Sequence, residues 1–242
     1  MDQILNAFPK TRKPLPSEYQ EIYAEHYKQN REGDSKAAGA AQFLEGWMHR
    51  KVAHDARAGR STLEIGAGTL NHLPYEPDSR PYDVIEPFEM LYKSSPNVAL
   101  VRNFYDDIEA IPEGARYDRI ISIAAFEHIC DLPRVVARCG LLLSDGGRLN
   151  IGIPSEGTIL WRLGYQLTTG LEFRRKYNLD YSVMMRHEHV NTAREIEYVV
   201  EHFFASIRSS VFGIARALSL YQFHRCEQPR LYRCREFLAE TT

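Results

Sequence analysis

Two segments constrain this chain more than any others: Thr62-Leu63-Glu64-Ile65-Gly66-Ala67-Gly68-Thr69-Leu70, and Tyr82-Asp83-Val84-Ile85-Glu86-Pro87 further on. The first reads as a short apolar strand that closes in an acid and a glycine turn. The second reads as a strand that closes in a carboxylate. Such a pair belongs to an open α/β sheet whose ligand lies beyond the strand ends. The glycines let the backbone approach the ligand, and the second acid takes ribose hydroxyls.

The glycine pattern departs from the dinucleotide fingerprint. Gly66 and Gly68 stand two apart, but Asn71 occupies the place of a third glycine, and Pro74 stops any helix soon afterwards. A pyrophosphate needs a long helix whose N-terminus faces it. The pattern therefore argues against NAD or FAD and suits a nucleoside ligand with no phosphate to bind.

Length and charge agree with this reading. A chain of 242 residues allows one α/β domain with additions. A net charge of −2 offers no broad basic field to nucleic acid. The cysteines Cys130, Cys139, Cys226 and Cys234 lack CxxC or zinc-like spacing, as suits a reducing compartment. No signal peptide and no membrane span is visible. The expectation is a cytoplasmic globular protein.

Residues 1–16 read as a loose, proline-containing lead-in. Ser17 and Gln20 suggest a capping box for a helix over 18–31 that ends before Gly33. A second helix over 36–58 carries Phe43, Leu44, Trp47 and Met48 on one face. Strands are expected at 61–66, 82–86, 98–103, 118–124, 147–153, 206–215 and 218–226. Between them, one helix follows Pro87. Another follows Asp131 with Leu132, Val135, Val136, Cys139 and Leu142 as its stripe, and a third follows a Thr192/Glu195 capping box. The division expected is a helical cap over 1–60, a core over 61–154, a lid-like insertion over 155–190 and the rest of the core over 191–242.

The ordered elements resemble class I S-adenosylmethionine (SAM)-dependent methyltransferases of the type 11 group, over roughly residues 60–155 and again over 192–226. That resemblance implies an α/β fold with a seven-stranded, mostly parallel sheet and helices on both faces. It also implies SAM as cofactor. Glu64, Gly66 and Gly68 would line its methionine end, and Glu86 would hold the ribose. Asp107 and Ile108 align with the adenine-side position, with Asp106 a near-equal candidate. Ala124 and the following Ala125-Phe126-Glu127-His128-Ile129 would frame cofactor and substrate. A looser likeness, in "IPSEG" and "HEHVNTA", is to bacterial surface-polysaccharide or sugar methyltransferases.

Methyl transfer needs alignment of two reactants and, for a hydroxyl, removal of a proton. His128 is the first candidate base and His189 the second, because an imidazole titrates near neutrality. Neighbours i and i+1 point apart on a helix, so Glu127 is not expected to orient His128. His187 and His189, two apart on an extended segment, could share a metal. No third ligand is visible, so no metal is expected. Substrate contacts are assigned to His187, Tyr165, Trp161 and Arg186. The arginines and lysine among the aromatics of 155–190 read either as a solvated face or as a site for an anionic substrate.

The function expected is methyl transfer to a hydroxyl of a small molecule, a sugar or glycan precursor. Two alternatives stand beside it: a phenolic or quinone-type acceptor, and a SAM-binding regulator without turnover. Nucleic-acid methylation is disfavoured, since neither an Asn/Asp-Pro-Pro-aromatic motif nor a Pro-Cys pair occurs.

Overall fold

Short runs of β-branched and aliphatic residues, buried on both faces, build the centre of the molecule. A computed structural model describes residues 3–20, 22–23, 36–76 and 81–240. Strands β1 (Thr62–Ile65), β2 (Tyr82–Ile85), β3 (Asn103–Tyr105), β4 (Tyr117–Ile123), β5 (Leu143–Pro154), β6 (Phe204–Ala215) and β7 (Leu218–Pro229) form one sheet. Its order is β3-β2-β1-β4-β5-β7-β6. The first five are parallel neighbours, and β7 runs antiparallel to both β5 and β6. The chain moves outward from β1 to β3 and then returns to β4. The order therefore reverses between β1 and β4, which is where such sheets open a crevice at the carboxyl ends of their strands.

Helices cover the two faces. On one side α1 (Lys36–Ala53) packs Met48 and Val52 with Val84, Ile121, Ile123 and Tyr221. The short α2 (Glu89–Tyr92) follows β2. On the other side α3 (Leu132–Leu142) and α7 (Ala193–Phe203) bury Val136, Cys139, Ile196, Val200 and Phe203 with Leu63, Ile120 and Ile151. The Thr192/Glu195 capping box is formed as expected. Helices α4 (Ile159–Leu167), α5 (Thr169–Tyr177) and α6 (Tyr181–Glu188) build the segment between β5 and α7, and α8 (Leu231–Glu240) closes the chain.

Several expectations change. Residues 98–100 form a 3₁₀ turn, and β3 begins only at Asn103. The aliphatic run there packs beside β2 and does not extend the ladder. Helix α1 stops at Ala53, short of 58. The first helix begins at Ser17 itself, with the Gln20 amide donating to the Pro16 carbonyl at 3.2 Å, so Ser17 is not the residue that caps it. Residues 21 and 24–31 of the expected first helix, and Gly33 beyond it, lie outside the described residues.

The lead-in is not loose. Leu5 is buried in the main core, and the Lys10 amide donates to the Cys130 carbonyl at 2.9 Å. The Lys10 ammonium binds Glu195 at 2.6 Å and the Val190 carbonyl at 2.8 Å. Leu15 and Tyr19 share an apolar cluster with Phe173 of α5 and Met184 of α6. The N-terminal segment and the 155–190 segment thus bury one surface together.

Candidate functional site

At the carboxyl end of β1 the backbone turns through two left-handed glycines, Gly66 at φ +73° and Gly68 at φ +53°. At Gly66 a Cβ atom would stand 2.4 Å from the Ala125 Cβ, so only glycine lets the β1 turn meet the loop after β4. That neighbouring loop is itself strained: Ala124, just past β4, has φ +49°. Non-glycine residues held there typically cost about 1–3 kcal/mol and cluster at functional sites.

Two carboxylates flank the turn. Glu86, at the end of β2, accepts from the Gly68 amide at 2.8 Å and from the Phe88 amide at 3.1 Å. Glu64 lies in β1 and accepts from the Tyr82 hydroxyl at 2.7 Å. Burial raises the Glu64 carboxyl to about 7, partly opposed by His72 and by that hydroxyl. Asp107 is exposed and caps the next 3₁₀ turn, accepting from the Glu109 and Ala110 amides. The Ile108 side chain is buried in the core, so only its backbone can face a ligand.

Beyond β4 the 3₁₀ turn Phe126–His128 presents Glu127 and His128. Their side chains converge more than expected: Glu127 Oε1 is 3.8 Å from His128 Nε2, too long for a hydrogen bond. The residue that orients His128 is Glu188. Its backbone carbonyl lies 3.0 Å from Nδ1 and its carboxylate 3.3 Å from the same nitrogen. Burial alone would lower the His128 pKa. The hydrogen bond to Glu188 and the charges of Glu127 and Glu188 outweigh it and raise the value. In return, burial pushes the Glu188 carboxyl up, but hydrogen bonds from His128 and Tyr23 bring it down to about 2.

His189 belongs to the same group. Its ring stands edge-on to His128 with centroids 4.9 Å apart, and its Nδ1 lies 2.8 Å from Glu156 Oε2. Trp161 stacks over His189 at 6.5 Å, and its indole N–H also donates to Glu156. Tyr165 lies nearby, with Glu156, Thr158 and Arg162 among the other walls of a cavity of about 200 Å³.

Two expected substrate contacts lie elsewhere. His187 and Glu188 are in α6 and His189 is its C-cap, so the segment is helical and the two histidines diverge. His187 Nδ1 meets the Lys13 carbonyl at 2.6 Å, and its ring stands edge-on to Tyr23. Arg186 is exposed and donates to Ser182 on its own helix. Arg162, Arg174, Arg175 and Lys176 are exposed as well. The side chains around the imidazoles are instead acidic: Glu127, Glu156 and Glu188.

Sequence reasoning missed Glu156 and Arg12. Arg12 donates to the His187, Glu188 and His128 carbonyls at 3.2, 3.0 and 2.8 Å. It ties the lead-in to both histidine-bearing loops. Glu156 stood just past the fifth strand, the position at which an α/β sheet places ligand-facing residues.

No protein-family model matches the chain, and no curated protein matches it. Solved structures do. A SAM-dependent methyltransferase of Thermotoga maritima, titled a possible histamine N-methyltransferase, is 14% identical, with 87% of this chain and 98% of that chain covered and a TM-score of 0.57. A SAM-dependent methyltransferase of Archaeoglobus fulgidus is 10% identical, with 84% and 99% covered and a TM-score of 0.59. An O-methyltransferase family protein of Burkholderia thailandensis is 15% identical, with 86% and 62% covered and a TM-score of 0.53. Among the described residues no helix is long and apolar enough to cross a membrane. With its seven-stranded mixed sheet flanked by helices, the chain has the Rossmann-like fold of class I SAM-dependent methyltransferases.

Proposed function

We propose that the chain moves a methyl group from SAM to a hydroxyl of a small, uncharged acceptor such as a sugar. The observation that carries this reading is the joining of β1 and β2 by Glu86 and Gly68 at 2.8 Å, on the sheet edge that also bears Glu127, His128 and His189. The residues fit the cofactor. Gly66 keeps the turn clear of a side chain, Glu86 offers a carboxylate for vicinal hydroxyls, and Glu64 offers one near the cationic end. When bound, SAM supplies an electrophilic methyl on a sulfonium centre.

The chain's own part is to place the acceptor and take its proton. With Nδ1 engaged by Glu188, His128 keeps Nε2 as the acceptor of the hydroxyl proton, and the carboxylate steadies the imidazolium that results. His189, held by Glu156, is the second candidate. Trp161 beside it gives a flat apolar wall for a sugar ring. The acidic surroundings disfavour the anionic acceptor that the basic residues of 155–190 suggested.

The same carboxylates favour a second reading, methyl transfer to an amine, because Glu127, Glu156 and Glu188 would hold an ammonium group. Incubation with methyl-labelled SAM and cell extract, followed by identification of the labelled product, separates an O-methyl from an N-methyl product. Cofactor binding without any labelled product would overturn both and leave a non-catalytic binder.

A further inference from the structure

We propose that Glu127, His128 and His189 bind one divalent transition-metal cation, in a set of two imidazoles and one carboxylate. The three residues each bring one ligand atom to a place where all lie within 4.8 Å of one another. Donors at about 2.0–2.2 Å from a shared ion lie within about 4.2 Å of each other. The 3.8 Å between Glu127 Oε1 and His128 Nε2 already satisfies this, and small rotations of the side chains close the rest.

Two further observations point to a cation. Each imidazole has its Nδ1 committed outward, His128 to the Glu188 carbonyl at 3.0 Å and His189 to Glu156 at 2.8 Å. That leaves Nε2 of each ring to a metal, and it is the pattern in which ligating histidines are held by a carbonyl or carboxylate behind them. Glu127 is 1% exposed, and its Oε2 has no hydrogen-bond partner among the described residues. A buried carboxylate left so is costly, and a cation held by this group through Oε1, or through both oxygens, compensates it. Imidazole donors favour zinc, iron, cobalt or nickel over magnesium or calcium.

Three protein donors leave coordination positions for an acceptor hydroxyl, which a cation would make more acidic; with the ion bound, His128 Nε2 is a ligand and the ion takes over the activation of that hydroxyl. This role rests on the methyl-transfer reading; the site itself does not.

The test is titration of the full-length, chelator-stripped chain with cobalt(II), followed by calorimetry and by the visible absorption of the bound ion. One ion per chain is expected. Glu127→Gln and His189→Ala should each weaken binding at least about tenfold, and Glu156→Gln by about 10–100-fold through its hold on His189. His54→Ala, an exposed histidine elsewhere, should leave binding unchanged. Thermal melting identifies any variant that fails to fold, and Glu127→Gln, which keeps its shape, decides in that case. Absence of binding, or binding indifferent to Glu127→Gln and Glu156→Gln, would overturn the site. Cobalt bound as expected but no methyl transfer would overturn only the function, whereas chelator-resistant transfer without cobalt binding would overturn only the site.

Discussion

The Glu86 carboxylate holds the Gly68 amide at 2.8 Å, so the acid that closes β2 and the turn that closes β1 form one rigid lip. Replacing Glu86 with alanine removes both the proposed ribose partner and this brace. A charged hydrogen-bond acceptor is worth about 1.5–3 kcal/mol. Calorimetry should therefore show SAM affinity falling at least about tenfold. Unchanged affinity would remove Glu86 from the site.

Gly66→Ala should cripple cofactor binding for a different reason. The added methyl meets Ala125 at 2.4 Å on a backbone with φ +73°. Steric displacement and left-handed strain act together, so melting temperature and affinity should both drop. Adding Ala125→Gly relieves only the contact, and the double variant should recover part of the loss.

If SAM binds as proposed, buried Glu64 should give its binding a pH dependence. Its carboxyl sits at about 7 in the folded chain, against an ordinary 4.5, chiefly through burial. The proton-bound form is favoured by folding, so this contribution to stability is full below 4.5 and is lost as pH rises through about 7. A cationic ligand favours the ionised form instead. SAM affinity should therefore rise over the same upward interval while the ligand-free chain loses stability. Glu64→Gln should flatten both profiles in calorimetry and thermal melts.

Arg119 is a structural charge and should be separable from function. It is wholly buried, with Glu76 at 2.7 and 2.9 Å and Asp55 at 3.1 Å. Arg119→Met takes the bidentate partner from buried Glu76, which keeps His72 at 2.9 Å, while Asp55 keeps Arg148 at 3.1 Å and Asn150 at 2.9 Å. Breaking such a buried pair costs about 3–5 kcal/mol. Denaturant unfolding should show a loss of that size. A loss under about 1 kcal/mol would contradict the assignment.

The parallel strands were legible in the sequence because fully buried strands read as aliphatic runs between turn residues, and Glu64 and Glu86 marked where two of them end. The Thr192/Glu195 cap was legible because both partners lie in one turn. The third strand misled because Val98 and Leu100 are apolar for packing, not for pairing. The histidine site was half legible. His128 and His189 were visible as residue types, but their partners Glu188 and Glu156 act across separations of 60 and 33 residues that no local pattern encodes. His187 looked equivalent to His189 until the end of α6 turned the two apart.

The lead-in also bears on how the chain is handled. Lys10 and Arg12 clasp carbonyl groups of His128, His187, Glu188 and Val190. A protease cut or bulky fusion that pulls those cations away would release the imidazole loops from their latch. Trimming the amino end would then be expected to cost the proposed turnover and, because Leu5 sits in the main core, some stability as well.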